Sequence, residues 1–420
     1  MDIVVDAFQQ VLALGAAVML PIVMTLLGII FRMKLGRALK AGIMIGIGFS
    51  GLQLVITLLM ETVQPAIDYY RSFGDSARFT TVDVGWAAMG AASFSVPFAA
   101  PAILLIIGIN VALVLLKWTN VLNVDIWNFI HFLIPGTLAY AITGNFWIGL
   151  GVTVGISVIT LFVAQWIAPL WQKFYGLTGT TCSTFSFIAW AFPIAWGVNW
   201  LIDRIPKVRD IDIDLEKVGD KLGFFGDTAF IGVIVGVFLG VMTLQPWETV
   251  LIMGMGIAAT LVLLPKMVSV MMEGLSALGD GAQAFMRRRL GDKHELNIGM
   301  DVALALGDPT AITTTVILIP LCIGYAFIIP NMSYFPVGIL TAIVYMVPMC
   351  SLASKGNLLR TLISSAIFLF IVVYFANIFA PQATMMMNAT GVEVDGSVTD
   401  GSFGFNPAAV LISALDQLFG

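Results

Sequence analysis

Asp308 is the carboxylate best placed for ligand chemistry, because a long uncharged stretch follows it. A proline and Thr310 come next, Thr313 lies one helical turn further on, and the next charged residue is Lys355. Carboxylate oxygens accept hydrogen bonds from hydroxyl groups, and threonine hydroxyls both donate and accept them. The cluster therefore predicts a site for a polyhydroxylated ligand. Asp before Pro is also a common helix start, and the two roles are compatible because a capped helix N-terminus is itself polar.

Two further groups could contact such a ligand. Phe94, Ser95 and Phe98 surround a proline and combine aromatic faces with a hydroxyl, although core packing is the commoner role of such aromatics. Asn128 and His131 stand three residues apart in a run without charged residues, so both can face one side of a helix. We predict that these residues contact the substrate, with a purely structural histidine as the alternative.

Several classes of site are not indicated. The sequence contains no GxxxxGK[ST] phosphate loop, dinucleotide fingerprint, catalytic triad or cluster with metal-ligand spacing. Its three cysteines, Cys182, Cys322 and Cys350, lie in or beside apolar runs at spacings that suit neither zinc nor a disulfide framework. The net charge of −5 gives no indication of nucleic-acid binding. We therefore expect no cofactor, no metal and no nucleic-acid partner.

The composition indicates a membrane protein. Of the 420 residues, 59% are hydrophobic and only 11% are charged, whereas soluble domains carry roughly 25% charged residues. The uncharged run 126–172 is long enough for two helices of the roughly 20 residues needed to cross a bilayer. We predict an all-α polytopic membrane protein, in which an intramembrane carboxylate such as Asp308 is a functional candidate by default.

The chain also contains an internal repeat at a constant offset of 212 residues. Three dipeptides recur at this offset: Leu27-Gly28 as Leu239-Gly240, Met60-Glu61 as Met272-Glu273, and Gly144-Asn145 as Gly356-Asn357. An unbroken register across separate segments predicts two related halves, about 1–150 and 213–360.

Loop charges predict that these halves are inverted. The turn 32–40 has four basic and no acidic residues, so we expect it inside. Loop 62–83 has two basic and three acidic residues, a balance that is compatible with a position outside. Its counterpart, 273–299, carries Arg287, Arg288 and Arg289, so we expect it inside. Equivalent loops on opposite sides indicate inverted repeats. This scheme puts the N-terminus outside and the C-terminus inside.

Each half also has an apolar segment interrupted by proline, 84–116 and 300–330. A single helix at 183–202 joins the halves, so inversion requires each half to cross the membrane an even number of times. Each half has four other clear helices, which already give an even number. These segments must therefore return to the side from which they came or cross twice. We predict re-entrant hairpins, because non-helical backbone at membrane depth must be buried in protein or line a cavity. A proline-kinked helix in each half is the alternative.

These segments resemble a known family. Residues 295–315, the turn 355–361 and the basic loop 32–40 resemble the galactitol-type permease, or IIC component, of the bacterial phosphoenolpyruvate-dependent phosphotransferase system, which is related to the ascorbate-type permeases. The resemblance covers nearly the whole chain. It implies a homodimer in the bacterial cytoplasmic (inner) membrane that takes up galactitol or a similar polyol. It also implies a IIB partner that phosphorylates the polyol, with IIA, HPr and enzyme I upstream.

The resemblance also implies a division of the chain and roles for its residues. The expected parts are scaffold helices at 1–61, transport core at 62–169 with hairpin 84–116, a linking helix and charged cytoplasmic segment at 170–227, scaffold helices and basic loop at 228–299, transport core at 300–380 with hairpin 300–330, and a C-terminal tail at 381–420. Asp308 becomes a candidate catalytic residue near the hydroxyl that is phosphorylated. The phosphoryl donor would be a cysteine of the partner, so whether this chain is itself an enzyme stays open. The predicted partner-docking residues are Arg287, Arg288, Arg289, His294 and Glu295.

Two other functions stay open at this point. An ion-coupled secondary transporter with inverted repeats would use Asp308 to bind a proton or sodium ion. A membrane-embedded enzyme would use Asp308 and His131 as acid and base, but nothing in the sequence brings those two residues together.

Overall fold

The computed structural model describes residues 16–73, 78–123, 125, 127–211, 213, 228–290, 296–391 and 396–419. The helices in this part of the chain are α1 (Ala16–Ile30), α2 (Leu35–Arg71), α3 (Gly85–Ser93), α4 (Ala99–Leu115), α5 (Asn128–Thr143), α6 (Phe146–Tyr175), α7 (Phe192–Ile202), α8 (Thr228–Met242), α9 (Trp247–Leu290), α10 (Pro309–Ile328), α11 (Ile343–Ser354), α12 (Leu358–Ile378), α13 (Ala380–Ala389), α14 (Ser402–Phe405) and α15 (Pro407–Phe419). Helices α2, α6, α10, α12 and most of α9 are long and apolar enough to cross a membrane. The structure therefore supports a multi-pass membrane protein.

The described chain also contains five short strands, which the all-α prediction omitted. They are β1 (Thr81–Asp83), β2 (Val121–Asn123), β3 (Thr180–Cys182), β4 (Asn297–Met300) and β5 (Ser397–Thr399). Strands of three or four residues in apolar surroundings have no detectable period-two pattern, which is why sequence analysis missed them.

Four helices pack together, and we call them the scaffold helices after the predicted division of the chain. Helices α2 and α9 pack along each other, with α1 against α2 and α8 against α9. The contact is close: a Cβ added at Gly48 would lie 2.5 Å from the backbone nitrogen of Met271. Small residues commonly allow membrane helices to approach in this way.

The remaining elements form a core around two small parallel sheets. Strand β4 lies between β2 and β3. Strand β1 pairs with β5, and Thr81 forms an isolated bridge with Tyr334. The strand that leads into each proline-interrupted segment, β1 or β4, therefore pairs with segments from the other part of the chain.

Both interruptions fall where sequence analysis expects them. The first lies between the end of α3 and the start of α4, at residues 94–98. The second lies at 306–308, between a 3-10 turn, Val302–Ala305, and the start of α10. Whether these segments re-enter the membrane stays a prediction.

The linking region and the tail are less regular than expected. The helix predicted at 183–202 begins later, as a π turn, Phe187–Ala191, followed by α7. The tail 381–420 contributes β5 to a core sheet, and the Asn406 amide donates to the backbone oxygen of His131 at 2.8 Å. The tail is therefore packed into the core.

Candidate functional site

A cavity of about 530 Å³ lies between scaffold helix α2 and the core. Its walls are mostly apolar and aromatic, and its polar side chains are Gln53, His131, Asp301, Thr341 and Tyr345. Apolar walls with a few placed polar groups are typical of small-molecule sites, which usually measure roughly 300–1,000 Å³.

Asp301 is the carboxylate of this cavity, and the pairing of β3 with β4 fixes its position. It follows β4 and caps the 3-10 turn 302–305, accepting a hydrogen bond from the backbone nitrogen of Ala303 at 2.8 Å. Its other oxygen accepts from the hydroxyl of Thr184, just after β3, at 2.9 Å. Each carboxylate oxygen can accept more than one hydrogen bond, so Asp301 retains capacity for a ligand hydroxyl.

A second carboxylate, Asp125, lies two residues before Trp127 of the cavity wall. Its Oδ1 accepts from the backbone nitrogen of Trp127 at 3.1 Å, and its buried Oδ2 has no hydrogen-bond partner within the described residues. The charge of Asp301 acts on Asp125. Two like charges in a buried setting repel each other, so a proton held by one of them stabilises the pair.

His131 lines the cavity, and its predicted contact with a substrate stays a prediction. It is 2% exposed, and its Nδ1 lies 2.7 Å from the Ser186 hydroxyl. Its ring lies 5.4 Å from the Trp86 ring, and Trp86 lies 6.3 Å from Trp127. Both tryptophans line the same cavity and offer faces on which the carbons of a sugar could stack.

Asn128 is also buried on α5, but its side chain bonds to other parts of the protein. Its amide nitrogen donates to Asn123 at 3.2 Å and to the Ser183 hydroxyl at 2.8 Å, which ties the start of α5 to the ends of β2 and β3. It does not line the cavity. Contact with a substrate would therefore require these bonds to rearrange.

Phe94, Ser95 and Phe98, the predicted ligand contacts in the first interrupted segment, lie in three different environments. Phe94 lines the cavity, whereas Ser95 is exposed. Phe98 is fully buried against the rings of Tyr140 and Phe146, at 5.7 and 6.0 Å. Phe98 is therefore packed in the core, which is the alternative role that the sequence left open for it.

Asp308 and Thr310 lie elsewhere, in a second cavity of about 450 Å³ against α9. Asp308 accepts from the backbone nitrogen of Thr310 at 3.0 Å, as a helix cap, and from the Ser351 hydroxyl. Thr313 is buried and lines neither cavity. Because Asp308 and His131 line different cavities, this structure does not pair them as acid and base.

The predicted docking residues are only partly described. Arg287, Arg288 and Arg289 belong to the last turns of α9, and His294 and Glu295 lie outside the described residues. Within the described part of the chain, no group of three or more His, Cys, Asp or Glu could hold a metal ion.

Sequence reasoning missed Asp301, Asp125 and Gln53. A signal existed for the first, because Asp301 lies in the same segment as Asp308 and is followed by five apolar residues. Asp125 immediately precedes the uncharged run at 126, and Gln53 is the single amide of the uncharged run 41–60. Only the strand pairing shows which of these polar residues share one cavity.

Comparison with known proteins gives a consistent result over almost the entire length. A sequence model of the family described as "PTS system sugar-specific permease component" matches residues 10–397. The chain is 32% identical over 408 residues to the "PTS system galactitol-specific EIIC component" of Escherichia coli (strain K12), covering 97% of this chain and 90% of that protein. It is 30% identical over 416 residues to a "Putative permease IIC component" of the same strain, covering 98% and 92%.

Proposed function

The chain belongs to the family of sugar-specific permease components of the phosphotransferase system, and from this membership we propose that it imports galactitol or a closely similar polyol for phosphorylation by a IIB partner. The specificity rests on the 32% identity to a galactitol-specific component. The bacterial cytoplasmic membrane is the setting that follows from this function. The structure supports the proposal through a cavity whose few polar groups suit hydroxyl ligands.

The substrate cavity is the 530 Å³ space beside α2. In it Asp301 accepts hydrogen bonds from polyol hydroxyls, and His131 and Gln53 complete the polar contacts. Trp86 and Trp127 cover the carbon chain. Because the cavity has contributions from both the scaffold and the core, its shape changes if the core moves against α2.

The chemical step belongs to the partner and the substrate together. The bond between phosphorus and the IIB cysteine sulfur breaks, a bond forms between phosphorus and a polyol hydroxyl oxygen, and the thiolate leaves. The hydroxyl proton passes to the carboxylate of Asp301, which lines the cavity. Asp308, the earlier candidate for this role, lines the second cavity, where it caps α10.

We also propose that the two halves are inverted repeats, and two paired features support a repeat at the 212-residue offset. The repeat-related residues Asn145 and Asn357 each cap a helix, α6 and α12. On the scaffold, Ile56 lines the substrate cavity and Val268, at the 212-residue offset, lines the second. We extend the proposal to re-entrant segments and to a core that moves against the scaffold of a homodimer. Movement of this kind brings the substrate to the side where Arg287–Arg289 meet the IIB partner.

The contacts favour a different side for the C-terminus from the one that the sequence scheme predicts. If turn 32–40 is inside, α2 leads outwards to β1. The backbone nitrogen of Thr81 donates to the Ser333 oxygen at 2.9 Å, and the Asn377 side chain at the end of α12 binds the same loop. Gln417 donates to the Ile378 oxygen at 2.9 Å. We therefore propose that the C-terminus, like the N-terminus, is outside.

Uptake of radiolabelled galactitol into vesicles tests the function. With IIB, the upstream proteins and phosphoenolpyruvate present, we expect label to accumulate as galactitol phosphate, and uptake to disappear without IIB. Accumulation of free galactitol driven by an ion gradient would instead identify a secondary transporter.

A further inference from the structure

Two carboxylates meet at the ends of β1 and β5, outside the lining of both cavities. Asp83 is the register partner of Thr399, so Asp400 follows immediately beside it. Asp400 is completely buried, and the charge of Asp83 acts on it. The substrate chemistry proposed above uses neither residue.

Asp83 has the environment of an ionised carboxylate. Its Oδ2 accepts hydrogen bonds from the Tyr334 hydroxyl at 2.8 Å and from the backbone nitrogens of Gly338 at 2.6 Å and Ile339 at 3.3 Å. Its Oδ1 accepts from the backbone nitrogen of Gly85 at 3.0 Å. Several donors directed at one carboxyl group stabilise its charged form.

Asp400 has the environment of a neutral acid. Its Oδ1 accepts from the Ser402 hydroxyl, but its buried Oδ2 has no hydrogen-bond partner among the described residues. A charged carboxylate with a bare buried oxygen is costly, and a proton on that oxygen removes the charge. Burial raises the pKa of Asp400 to about 7, and the charge of Asp83 adds to the effect, against hydrogen bonds from the hydroxyl and the backbone nitrogen of Ser402, which lower it. Burial also raises the pKa of Asp83, to about 6, against its hydrogen bonds, which lower it.

We propose that Asp83 and Asp400 form a proton-binding site, with the proton on Asp400 and the charge on Asp83, and that this proton stabilises three walls of the substrate cavity. The clause on the cavity rests on the proposed function, whereas the proton site itself does not.

The link to the cavity follows from what the two carboxylates hold. Asp83 binds Gly85, at the start of α3, one residue before Trp86. It also binds the start of the 3-10 turn Gly338–Thr341, which carries Thr341 to the cavity. Asp400 leads into α14, which ends at Phe405 in the cavity wall. A second negative charge at this junction would repel Asp83 and loosen all three elements.

Among the residues that the structure describes, the other titratable groups near the pair do not supply a counter-charge. Tyr334 lies against Asp83, Cys322 faces Asp83 and Tyr334 from α10, and neither is cationic. Of the other elements that bind the pair, α3, the turn Gly338–Thr341 and α14 present backbone nitrogens and the Ser402 hydroxyl. Arg78, the described cation nearest in sequence to Asp83, donates to the backbone oxygens of Met332 at 3.3 Å and Ile329 at 3.2 Å. A proton is therefore the cation that this arrangement favours.

Infrared spectroscopy of the detergent-purified full chain tests the proton site without any substrate. A protonated carboxyl group absorbs at a frequency distinct from that of a carboxylate. Between about pH 5.5 and about pH 8.5, which bracket the raised pKa, wild-type protein should lose a protonated-carboxyl band. Asp400→Asn should lose a smaller band, because Asp83, whose pKa is also raised, still contributes, and Asp68→Asn, which removes an exposed carboxyl group of α2, should show the full wild-type change.

A change that persists unaltered in Asp400→Asn would overturn the assignment. If that variant does not fold, the wild-type spectra still decide, because no loss of a protonated-carboxyl band over this range would exclude the site.

Galactitol binding tests the coupling. Wild-type affinity should fall several-fold between the two pH values, and Asp400→Asn should bind equally well at both. Wild-type binding that is equally tight at both would refute the coupling. If galactitol binds at neither pH while the infrared change appears as expected, the result would count against the proposed substrate. It would leave the proton site intact.

Discussion

Asp301 and Asp308 belong to one short segment, but their carboxylates line different cavities. Asp301→Asn removes the charge that we propose for hydroxyl binding. A hydrogen bond to a charged group contributes roughly 1.5–3 kcal/mol, so galactitol affinity should fall about 10- to 150-fold in equilibrium binding.

Asp308→Asn is the matched control for that variant. Asn also caps helices well, so stability and affinity should change little. A larger loss of affinity in Asp308→Asn than in Asp301→Asn would move the substrate to the second cavity, as the sequence interpretation had it.

The carboxyl group of Asp400 should also affect stability as a function of pH. Because the pKa is raised from 3.8 to about 7 in the folded protein, the stabilising contribution of the proton is complete below the ordinary pKa. It is lost as pH rises through about 7. The melting temperature of the wild type should therefore fall between roughly pH 6 and pH 8, two values that lie on either side of this pKa. Asp400→Asn should show a flatter profile, and an equally steep one would argue that another group titrates.

At the scale of elements, the contact between α2 and α9 depends on the absence of a side chain at Gly48. Gly48→Ala places a Cβ 2.5 Å from the Met271 backbone, which cannot move without displacing α9. Overpacking of this kind costs roughly 1–3 kcal/mol, which should appear as a lower melting temperature in detergent.

Gly36→Ala is the matched control in the same helix, because a Cβ there meets nothing within 4 Å. It should leave stability unchanged or raise it by up to about 1 kcal/mol, since Ala favours helix over Gly. Equal melting temperatures for both variants would show that the two scaffold helices are not tightly packed at Gly48.

The sequence predicted the apolar parts of the long helices and both proline interruptions, because uncharged runs and proline act locally. It placed loops at 62–83 and 273–299, but α2 continues to Arg71 and α9 to Leu290, because these helices extend beyond their apolar runs. It could not predict the strands, whose pairing depends on residues far apart in the chain. That pairing positions the carboxylate of the substrate cavity: it brings the Thr184 hydroxyl to Asp301, whereas Asp308 lines the second cavity. The predicted substrate contact of His131 stays a prediction, although His131 lines the cavity, whereas Phe98 was assigned to the site from a composition that fits core packing equally well.

At the scale of the whole molecule, the position of the C-terminus is open to a direct labelling test. Gln417→Cys should react with a membrane-impermeant maleimide added outside intact cells, because Gln417 is exposed and lies at the end of α12 that carries Ile378. The three cysteines of the chain are buried and should give little background.

Lys207→Cys is the matched control. Its segment binds the other end of α12, through Asn357 with Ile211 and Arg360 with Asp203. It should react only after the cells are permeabilised. Labelling of Lys207→Cys, but not Gln417→Cys, in intact cells would reverse the proposed topology.

The pairing of β1 with β5 also constrains biosynthesis. The hydroxyl of Thr81 binds that of Ser397, 316 residues later. At the roughly 5–20 residues per second of translation, β1 waits about 15–60 s for its neighbour to leave the ribosome. During that interval the first broken segment has no completed sheet to hold it. Premature termination near the end of the message would therefore damage the earliest part of the core.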